Sequence, residues 1–445
     1  MSPASKAEAA SQDVETVGRE MFRLVETLYP VCRSITGNGV RETLRILSER
    51  IPLTAHEVPT GTQVLDWTVP KEWNIRDAYV KDLRGNRVID FRKSNLHVVS
   101  YSVPVHRTVP LEELKKHLHT LPERPDWIPY RTSYYAEDWG FCVSYRQYLA
   151  LRESEYEVAI ESSLAPGHLT YGELALAGDT PDEVLISCHI CHPSLCNDNL
   201  SGIATAVFLA DYLRQVPRKH SYRFLFVPGT IGSLTWLARH EAELPNVKHG
   251  LVLANLGDRG PFTYKKSRRG NAEVDRAMAH VLRHGEQPYQ VVDFSPYGYD
   301  ERQYCSPGFD LPVGCFMRTP EQTRPEYHTS ADDLSFIEPE RLAESLECCK
   351  SLMAILERNA VYLNTHPKGE PQLGRRGLYR NVGGPDLEAD NFALLWMLNL
   401  SDGRHSVLDI AERSGLRFET VRNAASRLLE HGLLAPIAGE GKAAK

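Results

Sequence analysis

His189 stands at the end of an apolar run, Val184-Leu185-Ile186-Ser187-Cys188, and Asp198 follows nine residues later inside Asn197-Asp198-Asn199. Neutral imidazole nitrogen and carboxylate oxygen are donors that zinc and similar divalent ions accept. Gly202 then opens a helical pattern with Ile203, Ala206, Val207, Leu209 and Ala210 at apolar positions. A strand running into a histidine, an acidic loop and a helix is what a ligand site at the carboxyl edge of an α/β sheet looks like. The chemistry that fits is that of a bound divalent ion acting as a Lewis acid. Cys188, Cys191, His192 and Cys196 share this stretch, but no second cysteine pair follows at zinc-finger spacing.

The elements around these residues alternate. Strands are expected at 169–176, 183–188, 221–227, 250–255 and 311–316, and helices at 202–215, 233–242, 272–284 and 339–359. This order predicts a layered α/β sheet domain built from residues 17–55 and 156–363. Residues 56–155 differ in texture, with prolines, aromatics and short alternating runs, and predict a small β-rich insert domain. Its later part carries Trp127, Tyr130, Tyr134, Tyr135 and Trp139, which suit either a binding wall or packing against the larger domain. After a Gly/Pro/Arg-rich linker, residues 386–438 predict three short helices and an apolar strand, a winged-helix-like domain. In its last helix Arg422 and Arg427 are balanced by Glu419 and Glu430, so protein contact, such as a homo-oligomer interface, is expected rather than nucleic acid.

Bulk properties narrow the class. The chain has 445 residues, a net charge of −7 and 42% hydrophobic residues, values of a globular protein with no polybasic character. No apolar run approaches the roughly 20 residues of a membrane span. The first 17 residues are small and polar and read as a lead-in without regular structure. Nine cysteines, an odd number with Cys348 and Cys349 adjacent, fit reduced thiols and a cytoplasmic setting.

The stretch from His189 to Gly202 resembles the co-catalytic zinc aminopeptidases of the aminopeptidase Y and glutamate carboxypeptidase type. More closely, the chain resembles a bacterial group of aminopeptidase-like proteins with a β-rich insert and a C-terminal winged helix. The phrases that carry this are Arg33-Ser34-Ile35-Thr36-Gly37-Asn38-Gly39, Asp66-Trp67-Thr68-Val69-Pro70-Lys71-Glu72-Trp73, Ser187-Cys188-His189-Ile190-Cys191-His192-Pro193-Ser194-Leu195 and Tyr327-His328-Thr329-Ser330-Ala331-Asp332-Asp333. The resemblance implies an α/β zinc-peptidase-like fold, one or two zinc ions, and a peptide or other amide as substrate. It implies His189, Asp198, Asp258 and His328 as metal ligands, with Asp198 as the bridge. The pattern's Glu pair, a general base and a ligand, falls on Gly229 and Thr230, although members of the closer group carry Glu where Gly229 stands. Cys191 likewise replaces the Asp that orients the first histidine. A substitute base is then expected from Asp300 or Glu301, of which Glu301 is taken as the catalytic candidate, and Tyr327 is expected to stabilise an oxyanion.

Overall fold

The computed structural model describes residues 3–320, 323–378 and 385–437. The chain divides into two compact units, Met1–Ala272 with Pro288–Glu347, and Glu273–Gln287 with Cys348–Lys445.

The first unit opens with helices α1 (Pro3–Leu28) and α2 (Asn38–Ser48). The stretch expected to lack structure is therefore helical from Pro3. Met21, Val25 and Leu28 recur at helical spacing and are buried, as are Val40, Leu44 and Leu47 of α2. Strand β1 (Thr54–Pro59) enters the main sheet, and the chain then leaves it for a small one made of β2 (Glu72–Lys81), β3 (Arg87–Asp90), β4 (Val105–Pro110) and β5 (Glu155–Ala165). These four are antiparallel in the order β3-β2-β5-β4. The β-rich texture therefore extends to Ala165, ten residues past the boundary expected at 155, and β1 falls outside it.

The main sheet continues with β6 (His168–Leu176), β7 (Glu183–His189), β8 (Ser221–Val227), β9 (Val247–Leu253), β10 (Phe262–Lys265), β11 (Tyr289–Val292) and β12 (Val313–Met317). Its order is β1-β6-β8-β7-β9-β12-β10-β11. The four central strands β8, β7, β9 and β12 run parallel, so their carboxyl ends share one edge. Strand β7 is buried at all seven positions, as expected of a central parallel strand covered on both faces. Helix α3 (Gly202–Arg214) is buried from Gly202 through Ala210 and again at Leu213, which makes it a core helix rather than a surface one. Helix α4 (Ile231–Arg239) follows β8. Strands β10 and β11 were not expected, and basic side chains in and just after β10 are paired with acids. Lys265 is buried against Glu301, Lys266 meets Asp293 at 3.0 Å, and Arg268 meets Asp310 at 2.8 Å.

The second unit contains α5 (Glu273–His284) and the end of α6 (Pro339–Arg358), followed by β13 (Val361–Asn364), α7 (Pro385–Leu400), β14 (Asp402–Ser406), α8 (Val407–Ser414), α9 (Phe418–Glu430) and β15 (Leu434–Pro436). The strands form a sheet in the order β14-β13-β15. Ser406 and Asp409 make a reciprocal capping box at the start of α8, and Gly415, with φ 72°, ends that helix in the left-handed region. In α9, Arg422 bonds Glu419 at 2.9 Å and Arg427 donates to the Leu378 carbonyl at 2.8 Å.

The start of α9 is tied to α5 by one buried bond, from the Phe418 amide to His280 Nε2 at 3.0 Å. The bond requires a neutral acceptor nitrogen. Burial, helped by His284 and Arg283, lowers the His280 pKa to about 4. The unfolded chain takes this proton near pH 6.5 and the folded unit resists it until about pH 4, so stability falls as pH drops through that window. The loss approaches ~1.4 kcal/mol per pH unit. Thermal unfolding between pH 6.5 and 4 should show a steeper decline for the native chain than for His280→Gln. Equal slopes would mean that His280 carries no such linkage.

Among the described residues, no helix is long and apolar enough to cross a membrane.

Candidate metal centre

Strand β7 delivers His189 to the carboxyl edge, and the loop after it brings back Asp198. The two asparagines of the Asn-Asp-Asn phrase fix that loop. Asn197 Oδ1 accepts from the Gly257 amide at 2.8 Å and its Nδ2 donates to Asp258 at 2.8 Å, while Asn199 Nδ2 donates to the Leu253 carbonyl at 3.0 Å. Ser201 accepts from the Leu256 amide at 2.8 Å. The Asp332 carboxylate accepts the backbone amides of Asn197 and Asp198 at 2.6 and 3.0 Å. A Cβ on Gly202 would lie 2.6 Å from the Leu253 carbonyl oxygen, so only glycine lets α3 start this close to β9. With every neighbour anchored to protein, the Asp198 side chain is left to face the interior.

It faces three imidazoles. Asp198 Oδ1 lies 2.9 Å from His189 Nε2, and Oδ2 lies 3.1 Å from His328 Nε2 and 3.7 Å from His192 Nε2. The nitrogens His192 Nε2 and His328 Nε2 face one another at 3.0 Å. One donor atom each from His189, His192 and Asp198 falls within a 4.8 Å span. Asp198 is fully buried, and its Oδ2 has no well-directed hydrogen-bond donor despite these contacts. Burial opposes its charge, but His192, His189 and His328 outweigh that and hold its pKa well below the carboxylate range. Burial drives the His192 pKa well below the usual value. For His189, burial is outweighed by the carboxylates of Asp198, Asp300 and Glu301, and its pKa is raised. A buried carboxylate oxygen without a donor, among imidazole nitrogens that cannot all satisfy one another through protons, is a donor set suited to a divalent ion.

His328 takes part from a strap with left-handed backbone, φ 56°. The strap is held by extended residues of the insert. The Tyr130 amide donates to the His328 carbonyl at 2.7 Å, the Ser330 amide to the Ile128 carbonyl at 2.8 Å, and the Ile128 amide to Ser330 Oγ at 2.9 Å. The Tyr130 ring stands edge-on to His328 and tilted on His192, each at 5.2 Å, so one of the insert's aromatics walls the cluster. Tyr327 stacks on His328 at 3.8 Å, which places its ring beside the cluster.

The other expected residues are arranged differently. Asp258 stands apart from the cluster: its oxygens accept from Asn197 at 2.8 Å, the Gly260 amide at 2.7 Å and Thr319 Oγ1 at 2.6 Å, the bonds of a turn anchor. Two residues past the end of β9 stands Asn255, whose Oδ1 accepts from Arg324 at 2.7 Å and whose Nδ2 bonds Tyr299. Glu301 is buried in an ion pair with Lys265 and is not the acid that looks toward His189. Its neighbour Asp300 is: one oxygen accepts from Ser233 Oγ at 2.8 Å, and the other has no hydrogen-bond partner. Burial raises the Asp300 pKa. A Cβ on Gly229 would sit 3.1 Å from His189 Cβ and 3.6 Å from the Asp300 oxygen without a partner, so the room at Gly229 opens between those two side chains. Thr230 precedes α4, its carbonyl accepting from Ser233 Oγ at 2.8 Å. Cys191 receives the Gly229 amide on its sulfur at 3.3 Å, and burial pushes its thiol up to about 12, so it is not a thiolate nucleophile at neutral pH. His192 is the neighbour that sequence reasoning left out of the site, and Asp300 is the one it ranked behind Glu301. The His-x-x-His spacing of His189 and His192 was the available signal.

A family model described as a domain of unknown function, DUF4910, matches residues 22–359. The chain belongs to the DUF4910 family. A second model, a winged helix-turn-helix, matches residues 360–436 of this DUF4910 chain. A protein of Clostridium acetobutylicum, named provisionally for polysaccharide biosynthesis and an aminopeptidase-like domain, is 51% identical over 424 residues, covering 95% of this chain and 98% of that protein. A crystal structure from the same organism, named provisionally as a peptidase, matches with a TM-score of 0.92 at 48% identity, over 97% of this chain and 100% of that one. The zinc aminopeptidase of Bacillus subtilis matches with a TM-score of 0.55 at 13% identity, over 76% of this chain and 94% of that one, a likeness of fold. The DUF4910 chain thus has the α/β fold of the M28-type zinc aminopeptidases, carrying a C-terminal winged helix.

Proposed function

We propose that this protein is a divalent-metal-dependent hydrolase, with zinc as its ion, that cleaves an amide or peptide bond in the manner of an aminopeptidase. The observation that carries this reading is the convergence of His189, His192 and His328 on the fully buried Asp198 carboxylate, whose Oδ2 lacks a well-directed hydrogen-bond donor. An ion held there supplies Lewis acidity, making water nucleophilic near neutral pH and polarising the scissile carbonyl. The chain's own groups supply the rest. Asp332 grips the backbone of the Asp198 loop and sets where that carboxylate points. Tyr130 and Tyr327 pack on the His328 ring, fixing it and excluding solvent from that side. Asp300, rather than Glu301, takes the role of proton acceptor through its oxygen without a partner, later returning the proton to the leaving amine. The nine cysteines, an odd number with Cys348 and Cys349 adjacent, support a reducing, cytoplasmic setting.

A second reading, a binding protein that retains the ion but hydrolyses slowly, is favoured by Gly229 and Thr230, which offer no carboxylate. Protein purified without chelators from zinc-containing medium should carry zinc by elemental analysis. Its hydrolysis of a panel of aminoacyl anilides should vanish on chelation and return with zinc. Zinc without hydrolysis leaves the binding reading. Protein without zinc sinks both.

A further inference from the structure

We propose that the centre takes one divalent ion, not two, and that His192 is one of its donors beside His189, Asp198 and His328. This rests on the metal-dependent reading above, and it departs from a bridged pair of ions.

The first argument is placement. His192 Nε2 lies 3.0 Å from His328 Nε2, 3.7 Å from Asp198 Oδ2, and within the 4.8 Å span that holds the donors of His189 and Asp198. Two ligand nitrogens at 2.0–2.1 Å from one tetrahedral ion stand roughly 3.3 Å apart. The separations of Asp198 from His189 and from His328 are of that order, and so are those of His192 from Asp198 and from His328. A half-buried histidine with no metal role commonly turns its nitrogens toward backbone, hydroxyl or water partners. His192 Nε2 is turned instead toward another imidazole and a carboxylate.

The second argument is support. A ligating histidine is commonly fixed through its other nitrogen and its backbone. His192 Nδ1 lies 3.3 Å from Cys191 Sγ, its carbonyl accepts from Arg33 Nε at 3.1 Å, and Tyr130 covers its ring. Arg33 is itself fully buried and also donates to the Leu28 carbonyl at 2.7 Å, so the grip on His192 comes from a rigid part of the core.

The third argument is a shortage of donors for a second ion. Gly229 and Thr230 bring no carboxylate, Asp258 spends its oxygens on Asn197, Gly260 and Thr319, and Asn255 is committed to Arg324 and Tyr299. Asp332 is occupied by two backbone amides. Among the described residues this leaves only Asp300, with one oxygen already on Ser233, which is too little to hold an ion.

The test uses the full-length chain stripped of metal, titrated with Zn²⁺ and with Co²⁺, the latter read through its d–d absorption. One equivalent is expected to bind tightly. His192→Gln should weaken binding by ~10²-fold or more and change the cobalt spectrum, whereas Asp258→Asn should still bind one equivalent with the native spectrum. X-ray absorption at the zinc edge of the native chain needs no variant: it should count three imidazoles and show no zinc–zinc distance near the ~3.5–4 Å of two-ion sites. Two tight equivalents, a zinc–zinc vector, or an unchanged cobalt spectrum in His192→Gln would overturn the proposal while leaving metal dependence intact. Failure of the native chain to bind either ion would overturn metal dependence as well.

Discussion

Asp198→Asn is expected to strip the centre of its ion while leaving the fold in place. The side chain is fully buried, and it is the carboxylate that the imidazoles of His189, His192 and His328 share. Asparagine preserves its shape. The backbone amide at position 198 still donates to Asp332, so the loop keeps its anchors. The negative charge that a divalent ion needs is lost. Removing an outer partner of a metal ligand typically costs 10–100-fold in affinity, and removing this ligand should exceed about 10²-fold. Elemental analysis after dialysis, paired with a melting temperature close to that of the native chain, checks both halves. A variant that retains its zinc would refute Asp198 as the centre's ligand.

Gly229→Glu is expected to raise amide hydrolysis by about 10²–10⁴-fold, the usual range for gain or loss of a general base. Gly229 is not among the glycines of positive φ, so a side chain brings no backbone strain there. Its Cβ would meet His189 Cβ at 3.1 Å, a contact relieved by a shift of a few tenths of an ångström, and the Asp300 oxygen at 3.6 Å. The new carboxylate would stand beside an acid whose proton affinity is already raised by burial. Two carboxylates so placed raise the affinity of the pair for a single shared proton, which favours taking one from the water. The measurement is kcat/KM of the zinc-loaded variant on an aminoacyl anilide. An unchanged rate at unchanged zinc content would favour the binding reading and show that the room at Gly229 does not lie on the path of the water's proton.

The sequence made half of the centre readable. His189 and Asp198 could be found because a buried parallel strand is an uninterrupted apolar run, and because Asn-Asp-Asn-x-Ser-Gly encodes the loop's anchors as well as its acid. Errors came where a side chain's direction turned on one or two residues. Strand β9 stops at Leu253 rather than Asn255, so the residue near its end is an amide, and Asp258 falls in the turn that Gly257 and Gly260 favour. Asp300 and Glu301 are adjacent at the start of a helical turn, where neighbours diverge by about 100°, so one meets Ser233 and the other Lys265. His192 was obscured because the cysteines around it suggested a different use for the same histidine. The contact of Tyr130 with His192 and His328 joins residues far apart in sequence, and periodicity carries no trace of it.

The bonds between residues 128–130 and 328–330 bear on how freely this architecture can be rebuilt. An insert that only decorated the sheet domain could be trimmed, lengthened or exchanged without loss to the centre. This one supplies the partner for the strap carrying His328, whose left-handed backbone has to be held from outside. Loops elsewhere in the small sheet can drift, whereas a transplanted insert must arrive with an extended trio in the same register or leave a histidine untethered. The insert and the placement of His328 are thereby inherited together, and rebuilding the one is constrained by the other.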